Sequence, residues 1–390
     1  MELSDRVVKF SPYTLDDVRK KSSQKKFSVV TTFAGGGGSS TGYRLSGGDV
    51  LLANEFSDEA VKTYRENYPE TPVDTLDIRK ITGRGGKDYV VDWLNGYGVT
   101  EGEFDILDGS PPCHTFSQAG AVRVGKFDEK QSERHVLKFG KIQSRIGFLI
   151  HDFVYMVNCL QPRVFVIENV PNIEKSDVFK HAVERLTRSR NYRLNWKVLT
   201  SSHYGVPQKR NRLFIVGVRP DIARKVGIKS DLDVLDIYPE ESSYEPTIRE
   251  ALDDLEINRR QRNWLLQEMK RSSVYELVKK IPKNPSKHLG VTDVLKDWNS
   301  NFNLRRQSFD LPSQTVTASG SGKSLGGLIH PSEDRKFTIK ELKRLQGLPD
   351  DFVLTGTFDD QAERIGRMVP PLMTSALSHS IYEKVIKPSR

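Results

Sequence analysis

Cys113 stands inside DILDGSPPCHTFSQAG (105–120), where an apolar run reaches two prolines and the thiol opens a polar, glycine-containing stretch. Two prolines stiffen the backbone just ahead of the sulfur. A cysteine exposed beyond a strand is placed as a nucleophile, and nearby positive charge would favour its reactive thiolate. The second cysteine, Cys159, falls in a stretch with helical spacing and reads as a buried structural thiol. VFVIENVP (164–171) brings an apolar strand to Glu168 and an amide. A carboxylate closing a buried strand is partly desolvated, which suits it to deliver a proton. QKRNRLFIV (208–216) leads a strand with alternating bases. Period two puts Arg210 and Arg212 on one side, a good arrangement for a phosphate or a carbonyl oxygen. Taken singly, each pattern has a bland counterpart: an inert thiol, a capping carboxylate, a solvated strand end.

A fourth pattern, FAGGGGSS (33–40), follows the first apolar strand. Glycines there permit a sharp turn and close approach of a ligand to the backbone. It does not fit GxGxxG, because with Gly35 and Gly37 in the first two places the last is Ser40. Asn54-Glu55-Phe56 closes the next strand. An acid there can hold two ribose hydroxyls, and the aromatic can cover an adenine face. Asp77 and Ile78 are expected to end a third strand, with the carboxylate accepting from an adenine amino group. These residues suit a nucleoside cofactor, either a dinucleotide or S-adenosylmethionine.

The elements that must position these groups alternate. Strand-like runs fall at 27–33, 50–54, 104–107, 164–167, 194–199 and 213–218, with helix-like segments at 58–67, 144–160 and 176–189 between them. In the second of these helices Ile146, Leu149, Ile150, Phe153, Val154 and Val157 recur at helical spacing. Such alternation predicts an α/β fold, a parallel sheet covered on both faces with ligands at the carboxyl ends of its strands. After Pro220 the pattern stops. Residues 221–254 are acidic, whereas 255–306 carry twelve Lys/Arg against five Asp/Glu, interleaved with Trp264, Tyr275 and His288. A helical pattern returns at 338–345, and a final helix is expected after Pro371. The reading is therefore an N-terminal extension over 1–26, a catalytic and cofactor-binding domain over 27–220, a smaller domain over 221–305, and a segment over 306–390 that completes the catalytic domain. The extension, with Arg19, Lys20, Lys21, Lys25 and Lys26, reads as a short helix at most, either a solvated tail or a contact to nucleic acid.

The 390 residues carry a formal charge of +9, which favours a polyanionic partner through attraction to phosphate and counterion release. No apolar run approaches the ~18 residues of a membrane span, and MELSDRVVKF lacks the apolar core of a secretory signal. Two cysteines make no disulfide framework and fit a reducing, cytoplasmic setting.

The four patterns, in this order, resemble the DNA (cytosine-5)-methyltransferase family. FAGGGGSS looks like its cofactor loop, GSPPCHTFS like its Pro-Cys nucleophile motif, ENV like its glutamate motif and QKRNR like its Gln-x-Arg-x-Arg motif. LPSQTVT (311–317), KELKRLQGLPD (340–350) and RIGRMVP (364–370) are similar to its later segments, so the resemblance spans about residues 27–385. It implies a Rossmann-like S-adenosylmethionine-dependent sheet with a target recognition domain in the variable 221–305 stretch. It implies Cys113 as the nucleophile at carbon 6 of cytosine, Glu168 at ring nitrogen 3, Arg212 at the base carbonyl oxygen and Arg210 in support. The cofactor loop would offer Phe33, Ala34, Gly35, Gly37, Gly38 and Ser39, and the next two strands Asn54, Glu55, Phe56, Asp77 and Ile78. Ser110, Pro111, Leu149, Arg367, Met368 and Val369 would complete that site. Ser117, Arg123, Arg259, Arg260 and Arg262 would meet DNA. No metal is implied. Double-stranded DNA is the implied partner, a separately acting restriction endonuclease a further one, and the chain is expected to work as a monomer. His114 stands where the family often has glutamine, Thr31 where an acid often precedes the loop, and Arg367 where asparagine is common. A nicotinamide oxidoreductase would explain the glycine loop and Glu55, but not the other three motifs. A non-catalytic relative would lack Cys113 or Glu168. Transfer to RNA uses the same chemistry, and the long basic insert favours DNA over it.

Overall fold

The computed structural model describes residues 7–83, 85–112, 149–190, 192–295, 304–318 and 327–390. Twelve strands are present among these: β1 Phe27–Thr32, β2 Gly48–Asn54, β3 Val73–Asp74, β4 Ile106–Gly109, β5 Val164–Asn169, β6 Arg193–Thr200, β7 Gln208–Lys209, β8 Asn211–Val218, β9 Leu289–Gly290, β10 Leu304–Arg306, β11 Ser313–Gln314 and β12 Gly327–Ile329. Seven form one sheet in the order β3-β2-β1-β4-β5-β8-β6. The pairs from β3 to β5 are parallel, and β8 runs antiparallel to both β5 and β6. This is the expected α/β architecture with helices on both faces. The reversed β8 was not anticipated, because periodicity carries no direction.

Alternation along the strands builds two cores. Val30, Leu107 and Phe165 join one cluster with the helices Gly86–Asn95, Leu149–Leu160 and Asp177–Arg190. Their neighbours Val29, Ile106 and Val166 face the other way, with Tyr43 of the helix Gly38–Leu45 and Met373 and Leu377 of the helix Pro371–Ile381. Each such side chain contributes about 1.5–3 kcal/mol by burial. Cys159 is buried on the helix, as expected. The terminal helix Pro371–Ile381 seats directly on Gly38–Leu45: a Cβ on Gly42 would lie 2.5 Å from the Pro371 carbonyl oxygen, and Ser46 bonds Ser378 at 2.6 Å.

Three sequence expectations change. Residues 7–26 do hold the short helix allowed for them, but it packs on the large body and is not a solvated tail. A capping box between Thr14 and Asp17 starts the helix Leu15–Ser22, whose Leu15 and Val18 are buried in a third core cluster. The Tyr13 hydroxyl donates to the Gly347 carbonyl at 2.6 Å. Next, the start of the 221–305 segment belongs with the large body. Ile222, Val234 and Tyr238 pack in the second cluster, Ile248 and Ala251 in the third. The separate small core is Met269, Val274, Val278, Ile281, Val291, Leu304 and Ile329, backed by the sheet β12-β10-β9. It is built partly from β12, beyond residue 305. Lastly, Asp77 does not end a strand; β3 stops at Asp74, and Asp77 caps the helix Ile78–Thr82. Among the described residues no helix is long and apolar enough to cross a membrane.

Candidate active site

In an open sheet of this kind ligands sit beyond the carboxyl ends of the strands, where the strand order reverses. Here that point lies between β1 and β4. The chain leaves β1 through Phe33 at φ 52°, Gly35 at 56° and Gly37 at 99°, a left-handed succession that only glycine adopts without strain at the last two places. A Cβ on Gly38 would lie 2.6 Å from the Val369 carbonyl oxygen, and one on Gly36 would clash with Met368. At Gly35 a Cβ would meet nothing within 4 Å, so the loop opens there.

Glu55 braces this opening. Its carboxylate accepts from the Gly35 amide at 2.9 Å and the Ser57 amide at 2.8 Å. The Ala34 amide donates to the Asn54 carbonyl at 3.1 Å, and the Asn54 side chain to the Leu76 carbonyl at 2.9 Å. Phe56 is 63% exposed, an apolar ring left uncovered beside the loop. Asp77 accepts from the Arg79 amide and side chain, and that guanidinium holds its carboxyl below its ordinary range. Ile78 and Leu149 are buried in the first core, with Phe33 packed against them. Met368 and Val369 are buried, whereas Arg367 is exposed and paired with Glu363 at 2.5 Å.

The other half of the edge holds the charges. β4 ends at Gly109, followed by Ser110, a buried Pro111 and an exposed Pro112. Cys113, Ser117 and Arg123 lie outside the described residues. At the end of β5 the Asn169 amide donates to the Pro111 carbonyl at 3.0 Å, clamping the proline turn to the glutamate strand. Because β8 is antiparallel, its first residues sit where β5 finishes, and the Arg212 Nε meets the Glu168 Oε1 at 3.0 Å. Both side chains are largely buried. Burial pushes the Arg212 guanidinium down from its ordinary value, and Glu168 opposes that shift.

Arg210, expected to support Arg212 or a nearby phosphate, is turned toward late segments of the chain. Its terminal nitrogens donate to the carbonyls of Val316 and Gly366, each at 2.9 Å, and the side chain is 2% exposed. It ties the strand to two late segments, of which 364–370 packs on the glycine loop. Gln208 does the same. It donates to Gln346 at 2.7 Å, and Gln346 donates to the Met368 carbonyl at 2.6 Å. On the helix Arg259–Arg271, Arg259 and Arg260 are exposed, while Arg262 is held in a two-pronged pair by Glu333. Asn169, Gln208 and Asp108 make buried hydrogen bonds that the sequence reading did not assign. All three sat inside quoted motifs, but their partners are remote in sequence.

A seven-stranded sheet with one reversed strand, a glycine loop at its switch point and a Glu–Arg pair at the same edge defines a Rossmann-like methyltransferase. The chain belongs to the C-5 cytosine-specific DNA methylase family, whose model matches residues 27–383, and it is a DNA (cytosine-5)-methyltransferase. It is similar to the type II methyltransferase M.NgoFVII of Neisseria gonorrhoeae, 29% identical over 366 residues covering 88% of this chain and 85% of that one. It is likewise similar to M1.HphI of Haemophilus parahaemolyticus, 26% identical over 349 residues, with 88% and 83% covered. In fold it resembles Spodoptera frugiperda DNMT2, with a TM-score of 0.57 at 15% identity over 90% of this chain and 97% of that one.

Proposed function

We propose that this enzyme transfers a methyl group from S-adenosylmethionine to carbon 5 of a cytosine turned out of duplex DNA, within a specific short sequence. The observation that carries the chemistry is the Glu168–Arg212 pair, set beside a proline turn that Asn169 clamps. The residues present fit the cofactor. The backbone is open at Gly35, the Glu55 carboxylate lies under it, and the Phe56 ring stands free to cover an adenine. Glu55 would hold the ribose hydroxyls and Asp77 the adenine amino group. When bound, the cofactor supplies an electrophilic methyl group.

Carbon 5 of cytosine is a poor nucleophile, and a covalent adduct splits one hard step into two easier ones. The Cys113 thiolate forms a bond to carbon 6 while the displaced ring electrons move toward nitrogen 3. Glu168 delivers a proton there, and Arg212 fixes that carboxyl group and faces the base carbonyl oxygen. Carbon 5, now enamine-like, would form its bond to the methyl group as that methyl's bond to the sulfonium sulfur breaks, with S-adenosylhomocysteine as the leaving group. Loss of the carbon 5 proton to solvent and departure of the thiolate restore the ring double bond, and the nitrogen 3 proton returns to Glu168. Because the target carbon is inaccessible in the stack, the base must leave the duplex.

The small lobe chooses the sequence and the sheet edge does the chemistry. The similarity to type II methyltransferases supports a separately acting restriction endonuclease as companion. The enzyme then works as a cytoplasmic monomer on chromosomal DNA. Treating a mixed plasmid pool with the protein and S-adenosylmethionine, followed by bisulfite sequencing, tests this. Methylcytosine at one recurrent short sequence is expected, and unmodified DNA beside methylated RNA would contradict it.

A further inference from the structure

Asp108 is a buried carboxylate beside the glycine loop that the reaction above leaves unused. It sits in β4, in register with Thr31 of β1, and is 2% exposed. Its Oδ2 accepts from the Thr31 hydroxyl at 2.9 Å and the Ser39 hydroxyl at 3.1 Å, and its Oδ1 from the Tyr43 hydroxyl at 2.9 Å. Its backbone carbonyl accepts from Thr32 at 3.2 Å. The last two residues of β1 and the first turns of the helix Gly38–Leu45 thus converge on one residue, from both sides of the glycine loop.

We infer that Asp108 is a positioning residue for cofactor binding: it supplies from β4 a negative charge beneath the glycine loop, in a chain whose β1 carries Thr31 there. Its contacts share one character. All three side-chain donors are neutral hydroxyls, and no lysine or arginine forms an ion pair with it among the described residues. A buried carboxylate is stabilised best by a cation, and S-adenosylmethionine carries two positive centres, the α-ammonium and the sulfonium. A carboxylate below a helix N-terminus also interacts favourably with the first-turn amides. The titratable groups that bear on it are Tyr43 of the helix above and Glu168 of the neighbouring strand β5, and neither brings positive charge. Burial raises the Asp108 carboxyl to about 6, against its three hydroxyl donors and with Glu168 adding to the shift.

The inference rests on S-adenosylmethionine as the cofactor, and its test separates the two. Calorimetric titration of the wild-type enzyme with S-adenosylmethionine should show affinity falling as pH drops through about 6, where the carboxylate takes up a proton. Asp108→Asn should bind roughly tenfold or more weakly at pH 7.5, with a flat pH profile and a KM for the cofactor that rises more than kcat falls. The paired change Thr31→Asp with Asp108→Thr returns the carboxylate to β1 with a hydroxyl opposite, and should recover affinity. A merely structural role would instead lower the unfolding temperature of the cofactor-free Asp108→Asn protein. The inference expects no loss, since a carboxyl raised from 3.8 to about 6 costs the folded state stability as pH rises through that interval. Unchanged affinity in Asp108→Asn would overturn the inference, as would a loss that tracks unfolding. Failure of the wild-type protein to bind S-adenosylmethionine would instead strike the proposed function.

Discussion

Around the seven-stranded sheet the buried side chains are apolar on both faces and polar along the carboxyl edge, whereas the seam between the large body and the small lobe is charged. Arg306 is fully buried and donates to the carbonyls of Val278, Ile281, His330 and Glu333 as well as to Asp334. Arg335, equally buried, pairs with Glu341 and Glu333, and Glu333 also receives Arg262. Apolar burial is non-directional and yields stability. Buried ion pairs add little net stability but are costly to break, and they demand one geometry. The seam therefore fixes how the lobe is held on the large body, while the sheet cores keep the carboxyl edge in place.

Loss of chemistry at the edge is the largest expected effect. Glu168→Gln keeps a side chain beside Arg212 but cannot deliver the proton, and turnover should fall by about 10²–10⁴-fold with cofactor affinity unchanged. Single-turnover methylation reads this, and wild-type turnover would reject the role. Arg335→Met leaves the buried Glu341 without its guanidinium and Glu333 with Arg262 alone, and should cost about 3–5 kcal/mol in denaturant unfolding. A cost below about 1 kcal/mol would show that the seam is dispensable. Acid sharpens the same point. Burial resists ionisation of Glu333, but the hydrogen bonds of Arg262 and Arg335 outweigh it and hold the carboxyl down at about 2. Its contribution is thus complete above its ordinary 4.5 and is lost as pH falls toward 2. In the Arg335→Met protein Arg262 alone still lowers the Glu333 carboxyl, so that acid sensitivity should shrink.

Smaller effects separate the two halves of the edge and the lobe. Glu55→Ala removes an acceptor for two backbone amides and for the ribose. It should weaken S-adenosylmethionine binding by roughly 10- to 100-fold, the range for hydrogen bonds to a charged group, and change the maximal rate much less. Equal affinity by calorimetry would remove Glu55 from the site. Arg259→Ala, on the exposed start of its helix, should cost about 1–3 kcal/mol of discrimination at one base pair if it reads guanine. An even loss of affinity with a flatter salt dependence would make it a phosphate contact.

The legibility of the molecule in its sequence follows the same division. β1, β2 and β5, with the helices after β2 and β5, were readable because apolar periodicity is local, whereas the helix Gly38–Leu45 after β1 was not among the expected ones. The motifs at 33–40, 164–171 and 208–216 marked where the edge would be. The direction of β8 was not readable, although it brings Arg212 to Glu168. Arg210 was expected to support Arg212 or a nearby phosphate, and the structure turns it onto the carbonyls of Val316 and Gly366, 106 and 156 residues away. The lobe boundary was missed for a related reason. Composition changes at 221, but Ile222 and Val234 still pack on the sheet. Arg262 looked like a free base until Glu333, 71 residues on, was seen to hold it. Partners distant in sequence leave no periodic trace.

The central claim is that this edge carries out covalent methyl transfer through Cys113. Duplex DNA containing 5-fluorocytosine at the recognised site lacks the proton that must leave carbon 5, so the adduct should persist. Incubation with the wild-type enzyme and S-adenosylmethionine, then denaturing electrophoresis and peptide mapping, should give a stable protein–DNA complex linked at Cys113. Cys113→Ala should bind the same DNA and form no complex. A complex mapped to Cys159, or undiminished methylation by Cys113→Ala, would contradict the account.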